Sequence, residues 1–291
     1  MHAIGIATDS HASLPPDVAK QLNIRILPMP FTIDGQDYLE GVDLTREEFF
    51  ARQAAGADIA TSQPSPSTVM ALWDEMLLTH EQILYMPISS GLSGSCSTAT
   101  ALAQDEPYLG RVFVVDNGRV ASPLYQSILD ARYLEEKGLT APQIKAALES
   151  VRDQVSIYIA VETLTYLQKG GRISSAAAAV GTLLNIKPIL KLATGKLESH
   201  KKARGFRKAQ ELMLEAIRED LAIRFREQHA RGDVFLIAAG SADEAATAAW
   251  FEQITAAFPG MPLLYADLSM GVSCHTGPGA LAVGLSIRPR I

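Results

Sequence analysis

Residues 82–99 read QILYMPISSGLSGSCSTA. The first seven positions are an apolar run of strand length, and within 88–99 all but Ile88, Leu92 and Cys96 are Gly, Ala, Ser or Thr. A strand that enters a small-residue turn before a helix leaves backbone N–H groups unsatisfied beside the positive end of the helix dipole. Hydroxyl donors can complete an anion site there. From this stretch alone, an ordinary helix start capped by Ser89, Ser90 or Ser93 stands as the alternative.

Working outward, AIGIAT at 3–8 and RVFVVD at 111–116 repeat the short apolar run, and amphipathic stretches lie between. PPDVAKQLN follows Ser13 as a candidate cap. SPSTVMALWDEML places Ser65 as N-cap and Pro66 in the first turn, with Val69, Met70, Trp73, Met76 and Leu77 on one face. This alternation predicts a parallel α/β sheet. A helix over 122–137 ends at Gly138, another begins near Thr140, and SIYIAVE at 156–162 is a strand followed by a Gly-Gly-Arg turn. Beyond it, KPILKLATGKLESHKK reads as two strands around Thr194-Gly195. A helix over 207–228, strand DVFLIAAG, helix DEAATAAWFEQITAAF, strand MPLLYAD and the segment VSCHTGPGALAVGLSI follow. The expected organisation is two closely packed α/β domains, 1–155 and 156–291, the first with a parallel sheet and the second mixed.

The 291 residues, 47% of them apolar, can fill a substantial core, and the soluble globular class is expected. A formal net charge of −6 offers a nucleic-acid backbone no general attraction, so no nucleic-acid partner is expected. Cys96 and Cys274 follow no metal-ligand spacing, so neither a metal nor a catalytic thiol is expected. MHAIGIATDS reaches Asp9-Ser10 too early for a signal-peptide core, and no window is apolar enough to span a membrane. A cytoplasmic location is the expectation.

A nucleophile elbow, G-x-S-x-G, fails on register: Gly91 precedes Ser93 by two, but Ser95 stands where the second glycine belongs. A serine esterase using Ser93 and His275 stays open, because triads are defined by geometry. G-x-x-x-x-G-K-[ST] and G-x-G-x-x-G are both absent. What remains is a small oxyanion site. ATSQPSPS at 60–67 is a second hydroxyl cluster before a helix, with Thr61 and Ser62 as donors. The two turns could converge at the carboxyl ends of parallel strands. CHTGPGA at 274–280 supplies His275, LTYLQKGGRIS at 164–174 supplies Arg172, and SHKKARGFRKAQ at 199–210 is strongly basic. A lone His or a basic run is also compatible with a structural role and a solvated face.

Seven segments in order, ATDSHASLP, TSQPSPS, ISSGLSGSCSTA, LTYLQKGGRIS, IKPIL, KKARGFRKA and HTGPGAL, span nearly the whole chain. On them the sequence resembles the DegV family of bacterial fatty-acid-binding proteins, which include the binding subunits of fatty acid kinase. The resemblance implies two α/β domains with a long-chain fatty acid at their junction and no cofactor. It implies a carboxylate held by Thr61, Ser62, Ser93, the Gly94 N–H and His275. The protein would be a carrier rather than an enzyme, presenting the carboxylate to a separate ATP-dependent kinase for acyl phosphate formation in phospholipid metabolism. Arg172 matches a family arginine at the ligand's mouth implicated in kinase contact, with Arg204 and Lys208 as further candidates. A transient membrane-surface contact is part of the same picture. Cys96 departs from the family, which commonly carries a larger residue there.

Such a ligand makes physical sense. A sixteen-carbon acid has about fourteen methylenes at about 0.8 kcal/mol each, or about 11 kcal/mol of gross transfer free energy. Ordering costs reduce the net affinity. The segment ISSAAAAVGTLLNI at 173–186 is the expected tail wall, with Ile173, Ala177, Val180, Leu183 and Leu184 as tunnel candidates.

Overall fold

The structure, a computed structural model, describes residues 4–173, 185–193 and 196–290. Strands β1 (Ile4–Asp9), β2 (Ile24–Leu27), β6 (Gln82–Met86) and β7 (Val112–Val114) form a parallel sheet in the order β2-β1-β6-β7. The chain leaves β1 toward β2 on one side, and β6 lies on the other. The carboxyl ends of β1 and β6 therefore flank the point where strand order reverses, the place where open α/β sheets bind ligands.

Between β2 and β6 the chain builds a small antiparallel sheet of β3 (Pro30–Ile33), β4 (Gln36–Leu39) and β5 (Ile59–Thr61), with helix Arg46–Ala54 beside it. That helix begins in a capping box between Thr45 and Glu48. These strands carry no sequence signal of their own: each is three or four residues long and follows no sustained apolar alternation.

The second sheet is mixed, with β8 (Val155–Ala160), β9 (Ile186–Ala193), β10 (Lys196–Arg204), β11 (Val234–Gly240), β12 (Leu263–Asp267) and β13 (Leu281–Ile287) in the order β10-β9-β8-β13-β11-β12. Among the described strand pairs of this sheet, β11–β12 is parallel and the others are antiparallel. The expected β9–β10 hairpin is present, and its turn at Thr194-Gly195 lies outside the described residues. Alternate residues of a strand face opposite sides. On one side Tyr158, Ala160, Leu236, Val283 and Leu285 pack with Met213, Ile217, Trp250 and Ile254 of helices Phe206–Ala222 and Glu244–Ala257. On the other, Ile159, Ala239 and Ala282 join Ala121, Leu164, Leu167 and Leu268, toward the first sheet.

Ser65 and Thr140 cap helices as their positions suggest. Ser13 does not. It closes the turn Ser10–Ala12 in the left-handed region at φ 54°, and extended Pro15 precedes helix Pro16–Gln21. The helix expected over 207–228 is interrupted after Ala222 and resumes as Arg226–Ala230. Among the described residues, no helix is long and apolar enough to cross a membrane.

Candidate functional site

A cavity of about 220 Å³, swept by the centre of a water-sized sphere, lies between the two sheets. Its lining includes His11 from beyond β1, Ile88–Gly94 positions from beyond β6, Thr61 at the end of β5 with Ser62 and Gln63 after it, and His275 with its neighbours. Most of the remaining wall is apolar: Ile157 and Ile159 of β8, Leu192 and Leu197 of the hairpin, Ile237–Ala239 positions of β11, and Ala282 and Val283 of β13.

The two hydroxyl turns do converge. Thr98 of helix Ser95–Leu102 donates from Oγ1 to Gln63 Oε1 at 3.3 Å, joining 88–99 to 60–67. Asp9, at the end of β1, accepts from the Ile88 N–H at 2.8 Å and the His11 N–H at 3.0 Å, fixing the start of the first turn. Ser93 Oγ accepts from the Ser95 N–H at 3.3 Å, which leaves its hydroxyl hydrogen available for a ligand. Gly94 follows at the helix N-cap.

His275 rides on the last turn of helix Met270–Thr276, capped by Ser269. Contacts that hold that helix include Glu40 accepting from the Met270 N–H, Gln53 Nε2 donating to Ser273 O at 3.0 Å, and the Ser269 N–H donating to Ser13 Oγ at 3.2 Å. So held, His275 Nε2 lies 2.9 Å from Thr61 Oγ1. Burial, then the charge of Arg172, pushes the imidazole down to about 4, so it is neutral at pH 7. Arg172 donates to Leu92 O at 3.4 Å and to Gly170 O, tying the second domain to the 88–99 turn. It also lines a second, polar pocket with Ser90, Gly91, Leu92, Ser93, Gly94 and Gly171, so it stands where the cavity meets that pocket.

Thr61, Ser62, Ser93, Gly94, His275 and Arg172 all line one cavity. Arg204 and Lys208 do not line it: both are exposed, and Lys208 pairs with Glu211 at 3.0 Å. Ile173 is buried with Leu190 and Leu197 rather than on the cavity wall, and Ala177, Val180, Leu183 and Leu184 lie outside the described residues. The sheet-borne wall was not foreseen. Its strands are apolar on both faces, so nothing in their pattern separates cavity positions from core.

The esterase arrangement is not formed. His275 gives Nε2 to Thr61 rather than to Ser93, and its Nδ1 has no partner among the described residues, so no carboxylate orients it. Both thiols are buried and pushed up to about 12 by burial, far from the thiolate form.

Two α/β units enclose a largely apolar cavity whose lining also carries hydroxyl and imidazole groups, a small-molecule-sized site in a two-unit α/β fold. The chain belongs to the DegV family: the family model described as "uncharacterised protein, DegV family" matches residues 3–288. A DegV domain-containing protein of Deinococcus radiodurans is 34% identical over 97% of this chain and 98% of its own. Among solved structures, a DegV family protein from Thermus thermophilus described for its fatty acid binding is 34% identical, with a TM-score of 0.86 over 98% of this chain and 99% of its own. DegV from Bacillus subtilis, described as a fatty acid binding protein, is 26% identical, with a TM-score of 0.83 over 99% and 100%.

Proposed function

We propose that this protein is a carrier for a long-chain fatty acid, with the acyl chain in the cavity between the sheets and the carboxylate at Thr61, Ser62, Ser93, Gly94 and His275. The observation that carries this reading is the junction of an apolar cavity with the Thr61–His275 pair and the free Ser93 hydroxyl. A buried carboxylate without partners costs several kcal/mol, about what charge-assisted bonds from such donors offset. The fatty-acid-binding descriptions of the Thermus and Bacillus proteins support the same ligand class.

The carrier presents its carboxylate to a separate ATP-dependent kinase, which forms the acyl phosphate. Arg172 is the residue best placed for contact at the mouth, with the exposed Arg204 and Lys208 as outlying candidates. The carrier works in the cytoplasm and collects its ligand through transient contact with a membrane surface.

Native mass spectrometry after mild purification, with organic extraction of the ligand, tests the central reading. A co-purifying acyl chain, or uptake of added palmitate, is expected. A protein that carries none and ignores added fatty acid overturns it. For the partner, Arg172→Ala should retain palmitate yet lose phosphorylation by the cognate kinase.

A further inference from the structure

The cavity wall carries polar groups that the carboxylate reading does not use. His11 is 6% exposed and Ser122 is 2% exposed, and both line the cavity. His11 sits in the turn Ser10–Ala12, which packs against helix Ala121–Glu136, and Ser122 stands in the first turn of that helix. Ser122 is too near the helix start to return its hydroxyl to a carbonyl one turn back. Among the described residues, neither Ser122 Oγ nor either ring nitrogen of His11 has a hydrogen-bond partner.

The two nitrogens of His11 are not equivalent. Nδ1 is sealed from the cavity, 3.9 Å from Asp9 Oδ1 and too far for a hydrogen bond. The Nε2–Cδ2 edge lies over Gly271, itself a lining residue, so closely that a Cβ at Gly271 would collide with Nε2. Nδ1 is buried without a partner, and an orphaned lone pair is tolerated better than an orphaned N–H, so the proton stands on Nε2, a donor on the wall. Burial, then the charges of His275 and Arg172, holds the ring down to about 3, so it is neutral. A ring N–H and a hydroxyl on the wall of an apolar cavity, neither of them bonded within the described residues, favour a ligand that brings a hydrogen-bonding group of its own.

Gly271 and His275 are four apart on one helix, about one turn of roughly 5.4 Å along its axis, so the glycine on which His11 packs stands one turn from the histidine that meets Thr61. We infer that His11 and Ser122 form a hydroxyl-binding station, and that the ligand class this cavity prefers is a fatty acid hydroxylated near its carboxyl end. This rests on the carrier reading and narrows its ligand.

Calorimetric titration of the protein with palmitate and with β-hydroxypalmitate tests it. One added net hydrogen bond predicts that the hydroxylated acid binds roughly three- to tenfold tighter. His11→Leu and Ser122→Ala should each bring that ratio toward one, and Ser122→Ala guards against a His11 variant that fails to fold. A wild-type protein that binds palmitate with no preference for the hydroxy acid, or a preference that survives both substitutions, overturns the station and leaves the carrier intact. Failure to bind either acid overturns both.

Discussion

Thr61 and His275, 214 positions apart in the chain, meet through Oγ1 and Nε2 at 2.9 Å. The direction of this bond follows from the other side of the ring. Nδ1 is buried without a partner, and an orphaned lone pair is tolerated better than an orphaned N–H, which puts the proton on Nε2. His275 then donates to Thr61, and the threonine hydroxyl turns its own hydrogen toward the cavity. Under the carrier reading, Thr61→Val keeps the shape and removes this charge-assisted donor, worth about 1.5–3 kcal/mol. Palmitate affinity measured by calorimetry is expected to fall about ten- to hundredfold.

Gly170 makes that geometry accessible. It ends helix Thr165–Gly170, and a Cβ placed on it would collide with His275 Nδ1, so the imidazole lies directly against the glycine backbone. Gly170→Ala would ordinarily favour a helix. Here it must push the ring off Thr61, and an affinity loss of about tenfold or more is expected, of the order that overpacking costs. A crystal structure of the variant should show His275 displaced and the Thr61 bond lengthened.

Four buried titratable groups surround the helix that carries His275, and they pull stability in opposite directions with pH. Burial raises Asp9 from 3.8 and Glu40 from 4.5, each to about 7. The folded protein thus holds protons that the unfolded chain releases, and this contribution is lost as pH rises through about 7. His11 and His275 are depressed from 6.5 to about 3 and about 4, so their contribution is present above 6.5 and lost as pH falls toward 4. Between pH 4.5 and 6.5 the two pairs oppose each other. Above that window only the carboxyl loss remains. Glu40→Gln can still accept from the Met270 N–H while removing one of those titrations. Its melting temperature should drop less than the wild-type value between pH 6 and 8, about one unit either side of the value near 7 to which Glu40 is raised.

The legibility of the sequence follows the physics of each part. The strand–turn–helix at 82–99, the cap at Ser65 and the helix start near Thr140 are local and readable, because apolar runs and hydroxyl caps act within a few residues. Ser13 misled because a serine before Pro-Pro looks like a cap, whereas its left-handed backbone closes the preceding turn. The small sheet carrying Thr61 was invisible because strands of three or four residues have too few positions to show a period. Thr61 and His275 were singled out separately as a hydroxyl and a lone histidine, and only family resemblance assembled them. Their contact depends on Glu40 and Gln53 gripping a helix more than two hundred residues away, which no local pattern reports.

The wall of the cavity gives the last prediction. Ala239 of β11 lines it beside Ile237, and its side chain lies on the sheet face opposite Leu236, Trp250 and the helices that fill the main core. A larger side chain there takes up cavity space and also crowds Ala121, Leu164, Leu167 and Leu268, with which Ala239 packs, so thermal unfolding is measured alongside binding. Ala239→Phe is expected to weaken palmitate binding by at least tenfold, since several methylenes at about 0.8 kcal/mol each lose their place. Shorter acids should be affected less, so the preferred chain length shifts downward. The comparison is a titration series of saturated acids against wild type and variant, with thermal unfolding as the control. If the variant kept its fold and bound the whole series as the wild type does, the acyl chain would have to run elsewhere, and the β-sheet face of the second domain would lose its assigned role.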